Sequence, residues 1–255
     1  MKKPIFYPLF LFLFLIPLFP FSPLAAQRIT TQRIEVTSAL DACPDSAARA
    51  IVERYKASVD SVMMPVLGES RQGMSAGRPE SLLSNWVADV LVEASVFENG
   101  RPADMGLVNM GGLRNNMPKG TVHRGDIILI SPFDNRLAIV HLRGTQLLEL
   151  MRNIAAVRGE GVSRDVRLVI TGKGELVSAL IGGKPIDPDR MYRVATLDYL
   201  AEGNDRMYAL KKAERLNVSD LYTRDCMMRS IEKKKVIDAA IEGRITIVSD
   251  TETKK

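Results

Sequence analysis

Histidine is scarce in this chain, and that scarcity removes a whole class of chemistry. A two-metal hydrolase needs several His, Asp and Asn ligands to hold its ions about 3.5–4 Å apart. The sequence offers two histidines, His123 and His141. His141 lies inside an apolar run and His123 in a loop beside Arg124, neither with a second histidine at ligand spacing nor a nearby Asp/Asn cluster. Nucleophile signatures are missing as well. There is no Gly-x-Ser-x-Gly elbow, no Gly-x-x-x-x-Gly-Lys phosphate loop and no cysteine paired with a histidine near a motif. Asp187 and Asp189 flank Pro188, an arrangement that suits a turn better than acid–base work. The sequence therefore assigns no catalytic residue, no metal ligand and no cofactor to this chain.

Charge of one sign is also lacking. The formal net charge is +5, with no basic stripe, so nucleic acid is not a predicted partner. The densest basic run, Lys233-Lys234-Lys235, falls in a helical segment and reads as a solvated face. Cysteine is limited to Cys43 and Cys226, far apart in sequence. In an oxidising compartment such a pair forms a disulfide or stays as two free thiols, and spacing alone does not choose.

Long apolar runs are absent except at the start. Lys2 and Lys3 precede Phe6 to Phe19, and Leu24-Ala25-Ala26 supplies a small-residue exit. This is the pattern of a secretory signal peptide over residues 1–26. The run falls short of the roughly 20 residues of a spanning helix and is broken by prolines. The prediction is export to the periplasm or medium, with no stable membrane insertion after cleavage.

The remaining chain is long enough for one large domain with an arm. Residues 27–43 read as a flexible arm and residues 44–67 as a linker-type helix. Its stripe of Ala47, Ile51, Tyr55, Val59 and Val62 is spaced to face a core. Residues 68–250 form the main domain, opening on a Gly-rich loop over 68–80. Helices are predicted over 81–94, 145–157 and 225–240. Strands are predicted over 105–108, 127–130, 137–142, 166–170, 176–181, 192–196 and 245–248. Several strands are joined by hairpin-length turns. The fold class is therefore α/β of the α+β type, mixed sheets covered by helices rather than a doubly wound parallel sheet.

Three clusters carry chemistry. Asn109-Met110-Gly111-Gly112-Leu113-Arg114 follows a buried strand. Its glycines let backbone approach a ligand, Asn donates and accepts, and Arg presents a fork to phosphate or carboxylate. Gly-Gly also serves as a plain turn. Pro132-Phe133-Asp134-Asn135 sits between two predicted strands, and Phe133 either tucks into the core or offers a stacking face to a planar base. Leu197 to Asp205 follows a strand end, and Tyr199 and Asp205 there are either a second face with a ribose acceptor or parts of a surface turn.

In order, Asn-x-Gly-Gly-hydrophobic-Arg, Pro-Phe-x-Asn and aromatic-x-x-x-Gly-x-Asp resemble the C-terminal, nucleotide-recognising domain of the 5'-nucleotidase/UDP-sugar hydrolase family. Met117-Pro118-Lys119-Gly120, Gly144-Thr145-Gln146-Leu147, Gly183-Lys184-Pro185-Ile186-Asp187-Pro188 and Tyr192-Arg193-Val194-Ala195-Thr196 extend the resemblance over about Ser81 to Val248. It implies the layered fold of that domain, with Phe133 and Tyr199 sandwiching a base. It further implies Asn109 and Asn135 hydrogen-bonding base or sugar, Asp205 holding ribose hydroxyls, Arg114 taking the phosphate end, and Gly111 and Gly112 lining the site. The family's arginines before the second helix map loosely onto Arg78. Met110 replaces a family glycine, Tyr199 a phenylalanine and Arg206 a glycine. The resemblance starts where the catalytic domain of such enzymes would end. The expected role is a recognition subunit for a nucleoside or nucleotide, served by a separate metallophosphatase chain that carries the divalent metals. The alternatives are a stand-alone nucleoside-binding protein and a remnant whose pocket has decayed.

Overall fold

In the computed structural model the structure describes residues 30–249, so the predicted signal segment lies outside the described residues. Two compact units divide the chain between Arg49 and Ala50. The described part of the first carries a 3-10 turn, Ser38–Ala42, has no buried residue and begins helix α1 (Ser46–Met63). That helix forms where the sequence predicts it, but its apolar stripe does not enter a core. Ile51, Tyr55, Val59 and Val62 remain about half exposed or more.

The second unit continues through β1 (Val66–Ser70), α2 (Leu82–Ala94), β2 (Met105–Val108), β3 (Gly120–His123), α3 (Arg124–Ile130), β4 (Arg136–Arg143) and α4 (Gly144–Ala156). Next come β5 (Gly161–Val162), β6 (Val166–Thr171), β7 (Leu176–Ile181), β8 (Lys184–Pro185), β9 (Met191–Leu197) and α5 (Asp198–Ala201). The unit closes with β10 (Arg215–Tyr222), α6 (Thr223–Lys234), β11 (Val236–Ile237) and β12 (Ile245–Val248).

Among the described residues the strands make three sheets, ordered β10-β4-β9-β2-β5, β12-β6-β7-β8 and β11-β1-β3. Each mixes parallel with antiparallel pairing: β2 runs parallel to β9, β12 to β6 and β1 to β11, while β4 runs antiparallel to β9. This is the mixed α/β architecture expected from the alternation of hairpin turns and helices. Helix α2 packs on β2 and β5, and α4 lies between the five-stranded and four-stranded sheets. The main core is built from Leu83 and Leu91 of α2, Leu107 of β2, Leu137 and Ile139 of β4 and Leu147 of α4, all fully buried. Ser81 starts α2 by accepting the Ser84 N–H, and the Leu83, Trp86, Val87 and Val90 face enters the core as its spacing predicts.

Four local predictions are corrected. Ile127 to Ile130, predicted a strand, belongs to helix α3. Asp126 Oδ2 accepts the His123 N–H at 2.7 Å and caps its first turn, placing Ile127 and Ile130 inward and Leu129 outward. His123 accordingly ends a strand instead of lying in a loop. The segment predicted as a loop over 68–80 opens with strand β1, which pairs with β3 and β11. Helix α6 stops at Lys234 instead of Ala240, because Lys235 turns left-handed (φ 64°) and lends its carbonyl to Glu69 N. Lys233 and Lys234 do form a solvated face. Cys43 and Cys226 are free thiols. Cys226 is buried, which pushes its pKa up to about 11.

One buried ionic cluster binds three strands of the central sheet. His141 on β4 and Arg193 on β9 are cross-strand partners, and Glu98 lies over both, with His141 Nε2 at 2.6 Å and Arg193 Nε at 2.8 Å. Asn217 on β10 donates to the same carboxylate. Burial raises the Glu98 pKa, but hydrogen bonds and charge from His141 and Arg193 outweigh it and hold the carboxyl below its usual 4.5. A depressed carboxyl pKa contributes stability that is present above the unfolded value and is lost as pH falls through the folded one. We predict that acidification below about pH 4.5 destabilises the wild type more steeply than Glu98→Gln. Thermal unfolding across that range checks this, and parallel pH curves would disprove it.

Candidate functional site

The three motifs of the sequence meet at one end of the central sheet. Asn109 leaves the end of β2, and Met110–Gly112 make a 3-10 turn pinned by Gly112 N donating to Asn109 O at 3.1 Å. Arg114 N donates to Ile130 O at 2.8 Å, so the end of α3 fixes the exit of this turn. Phe133 and Asn135 lie between α3 and β4, a helix-to-strand connection and not the strand-to-strand one predicted. The start of α6 holds this connection: Thr223 N donates to Asn135 O at 2.9 Å and Arg224 Nη1 to Phe133 O at 3.2 Å. Tyr199 is in α5, directly after β9, and Asp205 sits in the following 3-10 turn at φ 51°.

These elements enclose a cavity of about 340 Å³, a volume suited to a small molecule. Asn109, Gly111, Gly112 and Arg114 line it from one side, with Phe133, Asn135, Tyr199 and Asp205 completing the wall. Phe133 is 40% exposed, and so is Tyr199. Phe133 has therefore not tucked into the core. The Arg114 guanidinium lies over its ring, 5.3 Å from the centroid, a cation–π contact that sets the arginine beside the aromatic face.

Asp205 is the polar centre of the cavity. Its Oδ1 accepts from Tyr199 Oη at 3.0 Å and its Oδ2 from Asn109 Nδ2 at 2.5 Å. Hydrogen bonding to Asp205 holds the Tyr199 hydroxyl above its usual pKa. A carboxylate oxygen has two acceptor sites, so Asp205 keeps capacity for further donors. Because the carboxylate only accepts, it orients the Asn109 amide, whose Oδ1 is turned away beneath Gly112.

Eight of the nine residues predicted for the site thus share one cavity, and Arg78 does not join them. Its Nε donates to Gly159 O at 2.8 Å and its Nη2 pairs with Glu160, so the guanidinium is committed to that segment. Glu160 is the residue the sequence reading missed. It is 2% exposed, and its Oε2 accepts the Met110 N–H at 2.5 Å. The local signal for it was a glutamate between two glycines, 159–161, about fifty residues from the motif it supports.

His141 is held by Glu98, His123 faces Asp126 at 3.6 Å, and no three His, Cys, Asp or Glu side chains converge as metal ligands among the described residues. No helix among them is long and apolar enough to cross a membrane.

Comparison with known proteins gives a consistent result. Residues 63–212, more than half the chain, match the family described as "5'-nucleotidase, C-terminal domain". Protein UshA of Yersinia enterocolitica is 27% identical over 158 residues, covering 60% of this chain and 28% of the relative. Endonuclease YhcR of Bacillus subtilis is 28% identical over 172 residues, covering 65% of this chain and 14% of the relative. Among solved structures, a 5'-nucleotidase precursor from Thermus thermophilus superposes with a TM-score of 0.72 at 26% identity, covering 82% of this chain and 44% of that one. The chain thus spans less than a third of these two curated relatives and under half of the solved structure. The family match spans more than half of the chain and contains every motif that lines the cavity, and on that ground the chain belongs to the 5'-nucleotidase C-terminal domain family.

Proposed function

We propose that this domain is the exported, nucleotide-recognising part of a 5'-nucleotidase-type hydrolase and that a separate metallophosphatase chain hydrolyses the phosphate ester it presents. The observation that carries this reading is the cavity itself, which gathers two half-exposed aromatic faces, a held carboxylate and an arginine fork. In this reading Phe133 and Tyr199 stack the base. Asp205, fixed by Tyr199 and Asn109, takes the ribose hydroxyls with its remaining lone pairs. Asn135 hydrogen-bonds base or sugar, and Arg114 faces the phosphate end, where a guanidinium engages two oxygens at once. Asn109 contributes chiefly by orienting Asp205.

The residues described here supply recognition, and the reading assigns the dimetal chemistry to the partner. The exposed stripe of Ile51, Tyr55, Val59 and Val62 on α1 has the apolar character of a surface that such a partner covers. Co-expression with a metallophosphatase chain of the same family tests the proposal. A co-purifying complex that releases phosphate from AMP faster than the metallophosphatase alone is the expected result. Separate elution and no gain in phosphate release would refute the subunit role.

A further inference from the structure

We propose that Glu160 is a positioning residue of the cavity: clamped by Arg78, its carboxylate holds the Met110 N–H and thereby sets the Asn109–Gly112 turn for nucleoside binding. This rests on the reading of the cavity as a nucleoside site.

The segment carrying Glu160 is built to press it inward. Gly159 has φ +108°, and a Cβ there would lie 2.5 Å from Pro79 O. A Cβ on Gly161 would lie 2.6 Å from Val108 Cγ1 and 2.8 Å from Ser84 Cβ. Only glycine fits at either position, and β5 pairing with β2, Val108 opposite Gly161, fixes the register. The carboxylate between them reaches the backbone of the turn that follows β2. Arg78 closes the clamp from outside, binding Gly159 O with one nitrogen and Glu160 with another, while its side chain stays 42% exposed.

From Met110 the connection runs onward to the ligand-facing groups. Asn109 precedes Met110 and donates to Asp205, which accepts from Tyr199. A shift of the Met110 backbone therefore moves the amide that orients the ribose acceptor. The hydrophobic family departure at 110 does not disturb this, because the contact is made by the backbone N–H.

The clamp depends on an ionised carboxylate. Burial raises the Glu160 pKa, the Met110 N–H and Arg78 lower it, the Asp205 charge raises it, and the net direction is upward. Those three are the groups that face it: Met110 from the turn after β2, Arg78 from the segment before α2, and Asp205 from the turn after α5. A carboxyl whose pKa is raised takes up its proton at a higher pH than an ordinary glutamate as the solution is acidified. Binding is then expected to weaken as the solution is acidified.

The test titrates adenosine, which stays uncharged over this range, into the full chain and into Glu160→Gln and Arg78→Ala. The Met110 amide is followed by NMR at each pH. Between about pH 7.5 and about pH 5.0 the wild type is expected to lose roughly three- to tenfold in affinity while the Met110 amide proton shifts. Glu160→Gln should be weak already at neutral pH, with a flat profile and an amide that no longer titrates. Arg78→Ala, whose side chain is partly exposed and expected to leave the fold intact, should weaken binding and move the same amide. Wild-type affinity and slope in both variants, or a Met110 amide that ignores pH in the folded wild type, would overturn the clamp. If the wild type binds no adenosine while its Met110 amide still titrates and Glu160→Gln abolishes that titration, the clamp stands and the nucleoside reading of the cavity falls.

Discussion

Replacing Phe133 with alanine is expected to weaken nucleoside binding about 10- to 100-fold, and Tyr199→Ala by a similar factor, since stacking on one aromatic face is worth about 1–3 kcal/mol per base. Both rings are 40% exposed, so neither truncation removes much from the core, and the thermal midpoint should stay close to wild type. The two variants should differ in one respect. Tyr199→Ala also removes the hydroxyl that holds Asp205 Oδ1, so Tyr199→Phe should recover the stacking but not the full affinity. Phe133→Ala leaves Asp205 alone and frees Arg114 from the ring it covers. Calorimetric titration of all three with AMP separates these effects. Unchanged affinity in Phe133→Ala and Tyr199→Ala would mean the cavity does not stack a base.

The largest predicted loss of stability lies elsewhere, at Arg244. This side chain is 3% exposed and lies just ahead of β12. Its guanidinium joins three parts of the domain: α2, through Asp89 at 2.9 Å and Asn85 O at 3.2 Å, Glu242 at 2.6 Å, and Val162 O of β5 at 2.8 Å. Asp89 is itself only 13% exposed. Removing Arg244 leaves Asp89 with only the exposed Arg164 as its cation and strands two carbonyls, and breaking a buried ion pair in this way costs up to about 3–5 kcal/mol. Arg244→Ala should therefore unfold at clearly lower urea concentration, with a Tm about 10 °C below wild type. Arg244→Lys should recover part of this, since one ammonium reaches Asp89 but lacks the planar fork. A loss below about 1 kcal/mol for the alanine variant would show that water replaces the network. Because Arg244 grips the carbonyl of Val162, two residues beyond Glu160, this loss should also loosen the wall of the cavity.

Much of this was readable from the residues, and the failures have physical causes. Strands β2, β4, β6, β7 and β9 and helices α1, α2 and α4 carried clear apolar periods and stand where those periods put them. Strand β10 did not, because Leu216 and Val218 are both about half exposed on an edge strand whose alternate positions Arg215, Asn217 and Ser219 are polar, so no apolar face marked it. Helix α3 was misread because four successive apolar residues fit a buried strand as well as a helical turn, and the deciding cap, Asp126 on His123 N, lies outside the run. The stripe on α1 is helical as its spacing predicts, but the core it is spaced to face is not supplied by the described residues. Of the site, the ordered motifs led to the eight residues that share the cavity. Arg78 and Glu160 form a contact between segments 82 positions apart, which no local pattern encodes.

The most direct test of the central claim is an amide NMR titration of the full chain with adenosine and AMP. Saturating shifts concentrated on Asn109–Gly112, Phe133, Asn135, Tyr199 and Asp205, with Arg114 responding more to AMP than to adenosine, are what the account predicts. Shifts elsewhere, or none in these residues up to millimolar ligand, would contradict it.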